Sequence, residues 1–508
     1  MGKLLLKAGL VCLLVGALVW LVTLWRWQTA DHDASGAEIV GQLFVLPLVL
    51  TAALLVAVAG VARVRAEAAK PMVVPAARPR PMKMAEALAA APIDERRVSV
   101  AVLKVAVNLS AGNSPDQALA QCQSAALRPS LDPELQDMDG APVFTARLPE
   151  LNVGELRERL PSEVSDRVVR ALALLQGPAD DLMARVFELA QDWPGEAVEP
   201  LEPAPPSDRP AHLSGMAPSV SNAARRASKL PRLSVRLAVP STWNEAEREQ
   251  ASAWLRMRCA LLADDCAAFH PSPPVPQVHA LDHADALWAL LDQQTVQWSR
   301  ESSAQWSLVL VADSAIDGAE VERRQTVGEL FTAVHQAGRI PGEGAAGLLL
   351  ATDSWPGLAD QVPLPAKLFR PVRLRRGKSA DAAGRVGPGV LHDAMTQALT
   401  VCAAGPDQAS HVVADGDHRA SRTAELFEAW QELAPGLDPM LSVTRVGEAC
   451  GDLGLAGALV PVALAAHLAQ QDDEARVTLA VLVQATHERV ALALTPWTWT
   501  PPPAPATT

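Results

Sequence analysis

Three short stretches of this chain concentrate side chains that could do chemistry: Leu281-Asp282-His283-Ala284-Asp285, Ala414-Asp415-Gly416-Asp417-His418, and Cys450-Gly451-Asp452. Carboxylates with imidazoles are the groups of a general acid-base pair or of a hard divalent-cation site. Asp and Gly are also the ordinary residues of turns, and that is the simpler reading of all three. There is no Walker-type Gly-x-x-x-x-Gly-Lys-Ser, no Gly-x-Ser-x-Gly elbow and no clear dinucleotide fingerprint. No cofactor is implied.

The thiols point the same way. Cys12, Cys122, Cys259, Cys266, Cys402 and Cys450 are scattered, without the density of a disulfide scaffold or the spacing of a metal-ligand pair. Cys259 and Cys266 read as buried apolar residues on one helix.

The elements that must position any site belong to a chain of 508 residues, 49% hydrophobic, which is ample for one large domain or two medium ones. A formal net charge of -13 argues against a nucleic-acid partner, because phosphate is met by basic surfaces. Two apolar runs open the chain, Ala8 to Trp25 and Ile39 to Val61. As helices they would reach about 27 and 35 Å, enough for a hydrocarbon core of ~30 Å. A secretory signal peptide is the competing reading of the first run, but Trp25-Arg26-Trp27 follows it and a small-x-small cleavage site is lacking.

Charge sets the expected orientation. Lys3 and Lys7 precede the first run, and Arg63, Arg65, Lys70, Arg78, Arg80 and Lys83 follow the second, whereas the connecting loop carries Asp31, Asp33 and Glu38 against Arg26. The positive-inside rule places both ends in the cytoplasm, with Trp25 and Trp27 in the outer interfacial belt. Residues 1–65 therefore read as a two-span hairpin in a bacterial inner membrane, and 66–95 as a tether rich in Pro, Ala and Arg. The large domain spans 96–495, interrupted by a Pro-rich insertion at about 194–231, and 496–508 is a Pro-rich tail in which Trp497 and Trp499 are expected to pack on the domain surface.

Within the large domain, strand and helix signals alternate. Arg97 to Val107 is β-branched and apolar like a buried strand, and Ser114 to Ala126 reads as a helix with Ser114 at its N-cap and Pro115 at its first position. Leu308 to Ala312 and Gly347 to Ala351 are short buried strands, and Val477 to Gln484 with Val490 to Leu494 form a closing pair. Glu245 to Leu262, Ala284 to Leu291 and Ala456 to Ala469 are helical. The class is α/β, with mixed or parallel strands covered by helices.

Several blocks resemble β-ketoacyl synthases, of the thiolase superfamily, in the order that family uses them. They are the opening strand through Gly112-Asn113-Ser114 with the helix and the Leu131-to-Arg147 region after it, the helix at Ala286 to Leu291, the strand ending Val311-Ala312-Asp313-Ser314, the stretch Leu330 to Ala346 with Gly342-Glu343-Gly344-Ala345 at its end, and Cys450 to Gly457. The resemblance implies a thiolase-like layered α/β/α/β/α fold and dimerisation through the central sheet. It also implies a Cys nucleophile at a helix N-terminus and two His, often with a Lys. Matched onto this chain, the Cys falls at His283 or an immediate neighbour, the first His at Asp415, the second at Asp452, and no Lys stands near Gly447. All the acyl-transfer groups are absent together, so no catalytic or metal-binding residue is expected. The matched positions would bring Asp282, His283, Asp415, Asp417, His418 and Asp452 toward one pocket.

The expected function is that of a membrane-anchored cytoplasmic pseudo-ketosynthase that binds protein partners as an adaptor or scaffold, with a type VI secretion effector or an acyl carrier protein as the candidate client. The alternative is an accessory subunit, or an enzyme of altered chemistry, in fatty acid or polyketide synthesis.

Overall fold

The computed structural model describes residues 96–191 and 231–499, except 125, 267–268, 270–272, 302, 473 and 475, together with Trp20. The chain divides between Ala91 and Pro92, and the unit Pro92–Thr508 holds every element below. The expected membrane hairpin at 1–65, the tether at 66–95 and nearly all of the insertion and tail lie outside the described residues.

The first half contains strands β1 (Ser99–Leu109), β2 (Ser130–Gln136), β3 (Pro142–Thr145), β4 (Arg232–Pro240), β5 (Pro276–Leu281), β6 (Gln305–Ser314) and β7 (Glu343–Thr352). The second contains β8 (Ala366–Phe369), β9 (Val372–Arg375), β10 (Ala409–Ala414), β11 (Val443–Arg445), β12 (Val477–Leu482) and β13 (Glu488–Pro496). β2 and β3 form a separate ribbon; the others share one sheet in the order β11-β10-β12-β13-β8-β1-β7-β6-β4-β5, with β9 on β13.

That order holds a duplication. Counting β1, β4, β5, β6 and β7 as strands one to five, the first half runs 3-2-4-5-1; counting β8, β10, β11, β12 and β13 likewise, so does the second. In both halves strands two, three and four are parallel and strand five is antiparallel to its neighbours. β1 and β8 join the halves antiparallel.

The helices that matter here are α1 (Pro115–Ser124), α2 (Asp166–Gln191), α3 (Glu245–Asp265), α4 (Ala284–Arg300), α5 (Gly318–Thr326), α6 (Gly389–Val401), α7 (Ala420–Leu433), α8 (Val446–Cys450) and α9 (Val460–Gln471); short helical segments at Gly154–Arg159 and Pro439–Ser442 and several 3₁₀ turns complete the described set. Three hydrophobic cores place them in layers. α2 and α3 cover one face of the first half-sheet, and α6 and α7 cover one face of the second. α1, α4 and α9 share a core with the inner faces of both. The alternation is visible on β1, where Val105, Val107 and Leu109 face the central core and Leu103 and Ala106 the outer one.

Local chemistry explains the elements that matter for the site. Ser114 Oγ accepts the Gln117 amide at 3.3 Å, so Pro115 occupies a position whose missing N–H costs nothing. Asn244 and Glu247 form a reciprocal capping box at the start of α3. The expected helix from Ala456 divides into a 3₁₀ turn, Gly454–Ala458, and α9. Val460 to Ala466 are all buried, because α9 meets both half-sheets and needs no polar face. Among the described residues, Gly454–Gln471 alone is long and apolar enough to cross a membrane, and 72% of it is buried in the domain. α2 buries fourteen residues and is not among the expected helices. Trp499 is buried, with its indole N–H donating to the Cys402 carbonyl at 3.2 Å.

Candidate functional site

A cavity of about 280 Å³ opens where the ends of β4, β5, β6, β10 and β12 meet the turn between α8 and α9. Asp282, His283, Asp415 and Asp452 all line it, so four of the six residues expected to converge do so. Asp417 and His418 do not line it. Asp417 binds the Arg419 guanidinium, and His418 stacks edge-on with Phe331 at 5.1 Å and meets the Gln336 carbonyl at 3.3 Å. Among the described residues no group of three or more His, Cys, Asp and Glu side chains could hold a metal ion.

His283 is the N-cap of α4 but makes no side-chain cap bond, and it is exposed at the cavity mouth. Asp415 follows β10 and is buried. Its Oδ1 accepts the Val483 amide at 2.6 Å, and its Oδ2 lies 3.4 Å from the Gln484 amide. Burial nonetheless dominates and raises its carboxyl to about 7.

Asp452 has the opposite environment. Oδ1 accepts the Gly454 amide at 3.1 Å. Oδ2 lies 3.0 Å from Arg324 Nη1 and 3.5 Å from Arg339 Nη1. The Arg324 contact is an ion pair without hydrogen-bond alignment. Burial alone would raise this carboxyl, but Arg324, Arg339, Arg419 and the Gly454 amide outweigh it and hold the group well below the usual range. Its backbone is also used, since its N–H donates to Ile340 O and its carbonyl accepts from Gly342 N.

The cavity wall contains a carboxylate-arginine network not anticipated from the sequence. Arg167 of α2 donates to Asp313 Oδ1 at the end of β6 through Nε at 3.2 Å and Nη2 at 2.9 Å. Asp313 Oδ2 accepts the Leu455 amide at 3.0 Å. Burial raises the Asp313 carboxyl despite these donors. Glu320 is held down to about 2: burial opposes this, but Arg323, Arg324 and Arg167 prevail. The spacings from Glu320 to Arg323 and Arg324 on α5 are the part of the network that a sequence could have signalled, as i,i+3 and i,i+4 pairs.

The Gly342-Glu343-Gly344-Ala345 stretch frames this wall. Glu343 is fully buried and accepts from Arg170 Nε at 2.8 Å, Ser314 Oγ at 2.9 Å and Leu148 N at 2.8 Å. At Gly342 a Cβ would stand 2.1 Å from Cys450 O, so only glycine lets the start of β7 pass the α8 turn. The Gly-x-Gly-x-x-Gly spacing from Gly342 to Gly347 runs into a strand, so it presents no helix N-terminus to a pyrophosphate.

No protein-family model matches the chain, and no curated protein matches it. Solved structures do. Its structural neighbours are ketosynthases. The ishigamide ketosynthase/chain length factor is 15% identical, with 78% of this chain and 99% of that one covered, at a TM-score of 0.47. A type II PKS acyl-carrier protein in complex with its ketosynthase bound to the hexaketide is 12% identical over 79% and 100% of the two chains, at 0.47. The ketosynthase from module 6 of the bacillaene synthase of Bacillus subtilis 168 is 11% identical over 79% and 72%, at 0.48.

Proposed function

We propose that this chain is a ketosynthase-like protein that has exchanged acyl transfer for binding, and acts as an adaptor or scaffold tethered to a bacterial inner membrane by its first 65 residues. The observation that carries the reading is the state of Asp415 and Asp452. They stand where the resemblance requires imidazoles, and both are occupied by the chain's own amides and guanidinium groups. A group already paired in this way is unavailable to a thioester oxyanion, and the resemblance puts the nucleophile's position at His283 or an immediate neighbour, where no Cys or Ser stands. The duplicated five-strand layout and the order of the resembling blocks support descent from that fold, in which a site can be lost while the architecture persists.

The client is a protein, with a secreted effector of the type VI system or an acyl carrier protein as the candidates. Capture of the tagged full chain from native membranes tests this. Stoichiometric recovery of a secretion-spike or effector protein supports the adaptor reading. An acyl carrier protein arriving with an active synthase would replace it with the accessory-subunit reading, and recovery of the chain in the soluble fraction would contradict the anchor.

A further inference from the structure

A groove of about 570 Å³ runs between the β2-β3 ribbon and the loop that follows α5, apart from the cavity described above. Val143 and Leu330 line it and share a small core with Val321 of α5. Its open side is apolar. Leu131 and Phe144 are cross-strand partners in the ribbon and both are exposed, and Phe144 meets the Phe331 ring edge-on at 5.6 Å. Val334 is 96% exposed. It sits in a turn closed from both sides, with Thr332 N donating to His335 O at 3.2 Å and His335 N to Thr332 O at 3.1 Å. The middle of such a turn is ordinarily Gly, Asn, Asp or Ser; here Ala333-Val334 holds an apolar side chain out to water in a fixed place. Met138 and Val327, next in sequence to lining residues, are exposed as well. Single exposed apolar residues are ordinary, but five around one groove make a contiguous patch, the mark of an interaction surface.

Charge selects the occupant. Asp137 and Asp139 line the groove, and neither has an ion-pair partner among the described residues. Asp137 Oδ1 accepts the amides of Asp139 and Ala141 at 3.0 and 2.8 Å, and Asp139 Oδ2 accepts from Gln325 Nε2 at 3.2 Å. No Lys or Arg lines the groove among the described residues, and Arg323, the exposed cation of α5, is already held by Glu320 and Glu329. Opposite charge at a rim orients a partner and like charge rejects one. A second copy of this chain would bring the same carboxylates and a net charge of -13, and an anionic lipid surface meets the same repulsion.

We propose that this groove receives a segment of the client protein made of aliphatic or aromatic anchors flanked by Lys or Arg. The inference rests on the adaptor reading and adds the chemistry that the client must carry. The anchors cover Leu131, Phe144 and Val334, and the flanking cations pair with Asp137 and Asp139.

The test places the full chain in nanodiscs of zwitterionic lipid, with empty nanodiscs as the blank, and follows by anisotropy a short fluorescein-labelled peptide of Leu and Phe flanked by lysines, beside its counterpart flanked by glutamates. The lysine peptide should bind and weaken as salt rises, and the glutamate peptide should not bind. Val334→Asp, at a fully exposed position that folding does not need, should weaken the lysine peptide by about tenfold or more. Asp139→Lys should weaken the lysine peptide and improve the glutamate one. Equal binding of the two peptides, no binding of either, or unchanged binding by Val334→Asp would overturn the proposal. Binding that emerges only when Arg225, Arg226 and Lys229 are replaced by glutamate would assign the groove to the chain's own insertion and overturn it as well. Capture from native membranes keeps the two readings apart: a client recovered equally by Val334→Asp removes the groove and leaves the adaptor, whereas recovery of no client by the parent chain removes the adaptor.

Discussion

Arg324 holds Asp452 from inside the domain: Nη1 lies 3.0 Å from Oδ2, and the side chains are 5% and 7% exposed. The pair is joined by Arg339 and, through Arg324, by Glu320 on α5. A neutral imidazole could not take over this role, because the buried Arg324 guanidinium would lose part of its counter-charge.

Asp452→His, which installs the residue type the resemblance implies, is therefore expected to destabilise the fold by about 3–5 kcal/mol, the usual cost of removing one partner from a buried ion pair. Unfolding of the full chain in detergent, followed by tryptophan fluorescence, measures it. A variant as stable as the parent would show that the Asp452 ion pairs do not hold the turn.

Asp415 gives a pH dependence of defined sign. Its folded carboxyl titrates near 7, because burial raises it from an ordinary value of 3.8. Below about pH 4 it is protonated in both states. As pH rises, the unfolded chain ionises first and the folded chain keeps its proton, so this group's contribution to stability is lost between about pH 4 and about pH 7. The slope is at most ~1.4 kcal/mol per pH unit. The stability difference between parent and Asp415→Asn should drift across that window and level off above it. A difference constant with pH would contradict the assignment.

Gly342→Ala should be severely destabilising, because the new Cβ would meet the Cys450 carbonyl at 2.1 Å, a backbone atom that no rotamer change can move aside. Gly318→Ala is the matched control. It opens α5, meets nothing within 4 Å, and should be neutral or stabilising by up to about 1 kcal/mol. Equal melting temperatures for the two variants would show that the close approach is not required.

The buried strands were the legible part of the fold. β1, β6, β7 and the β12-β13 pair are apolar runs because helices cover both of their faces, and such runs announce themselves in sequence. α2 was not legible, since Gly177-Pro178 interrupts its pattern while burial of Leu172 to Leu175 and Leu182 sustains it. β4 follows directly on the Pro-rich stretch and was hidden for that reason. The duplication lies in strand order and direction, neither of which leaves a residue-level repeat.

The site divides along the same line. Asp282, His283, Asp415 and Asp452 could be named through the positions that the resemblance matches, and the fold gathers them in one cavity. Arg167, Arg339 and Asp313 could not be recognised as their neighbours, because the pairings exist only in three dimensions. Arg167 and Asp313 are 146 residues apart, and Arg339 and Asp452 are 113 apart.

The most direct test of the binding role is covalent capture. The full chain and an active ketosynthase would be incubated in parallel with a radiolabelled acyl-thioester, and protein-bound label counted after denaturation. The account predicts stoichiometric label on the active enzyme and none above background on this chain. Label retained on this chain and mapped to His283 or its neighbours would contradict it.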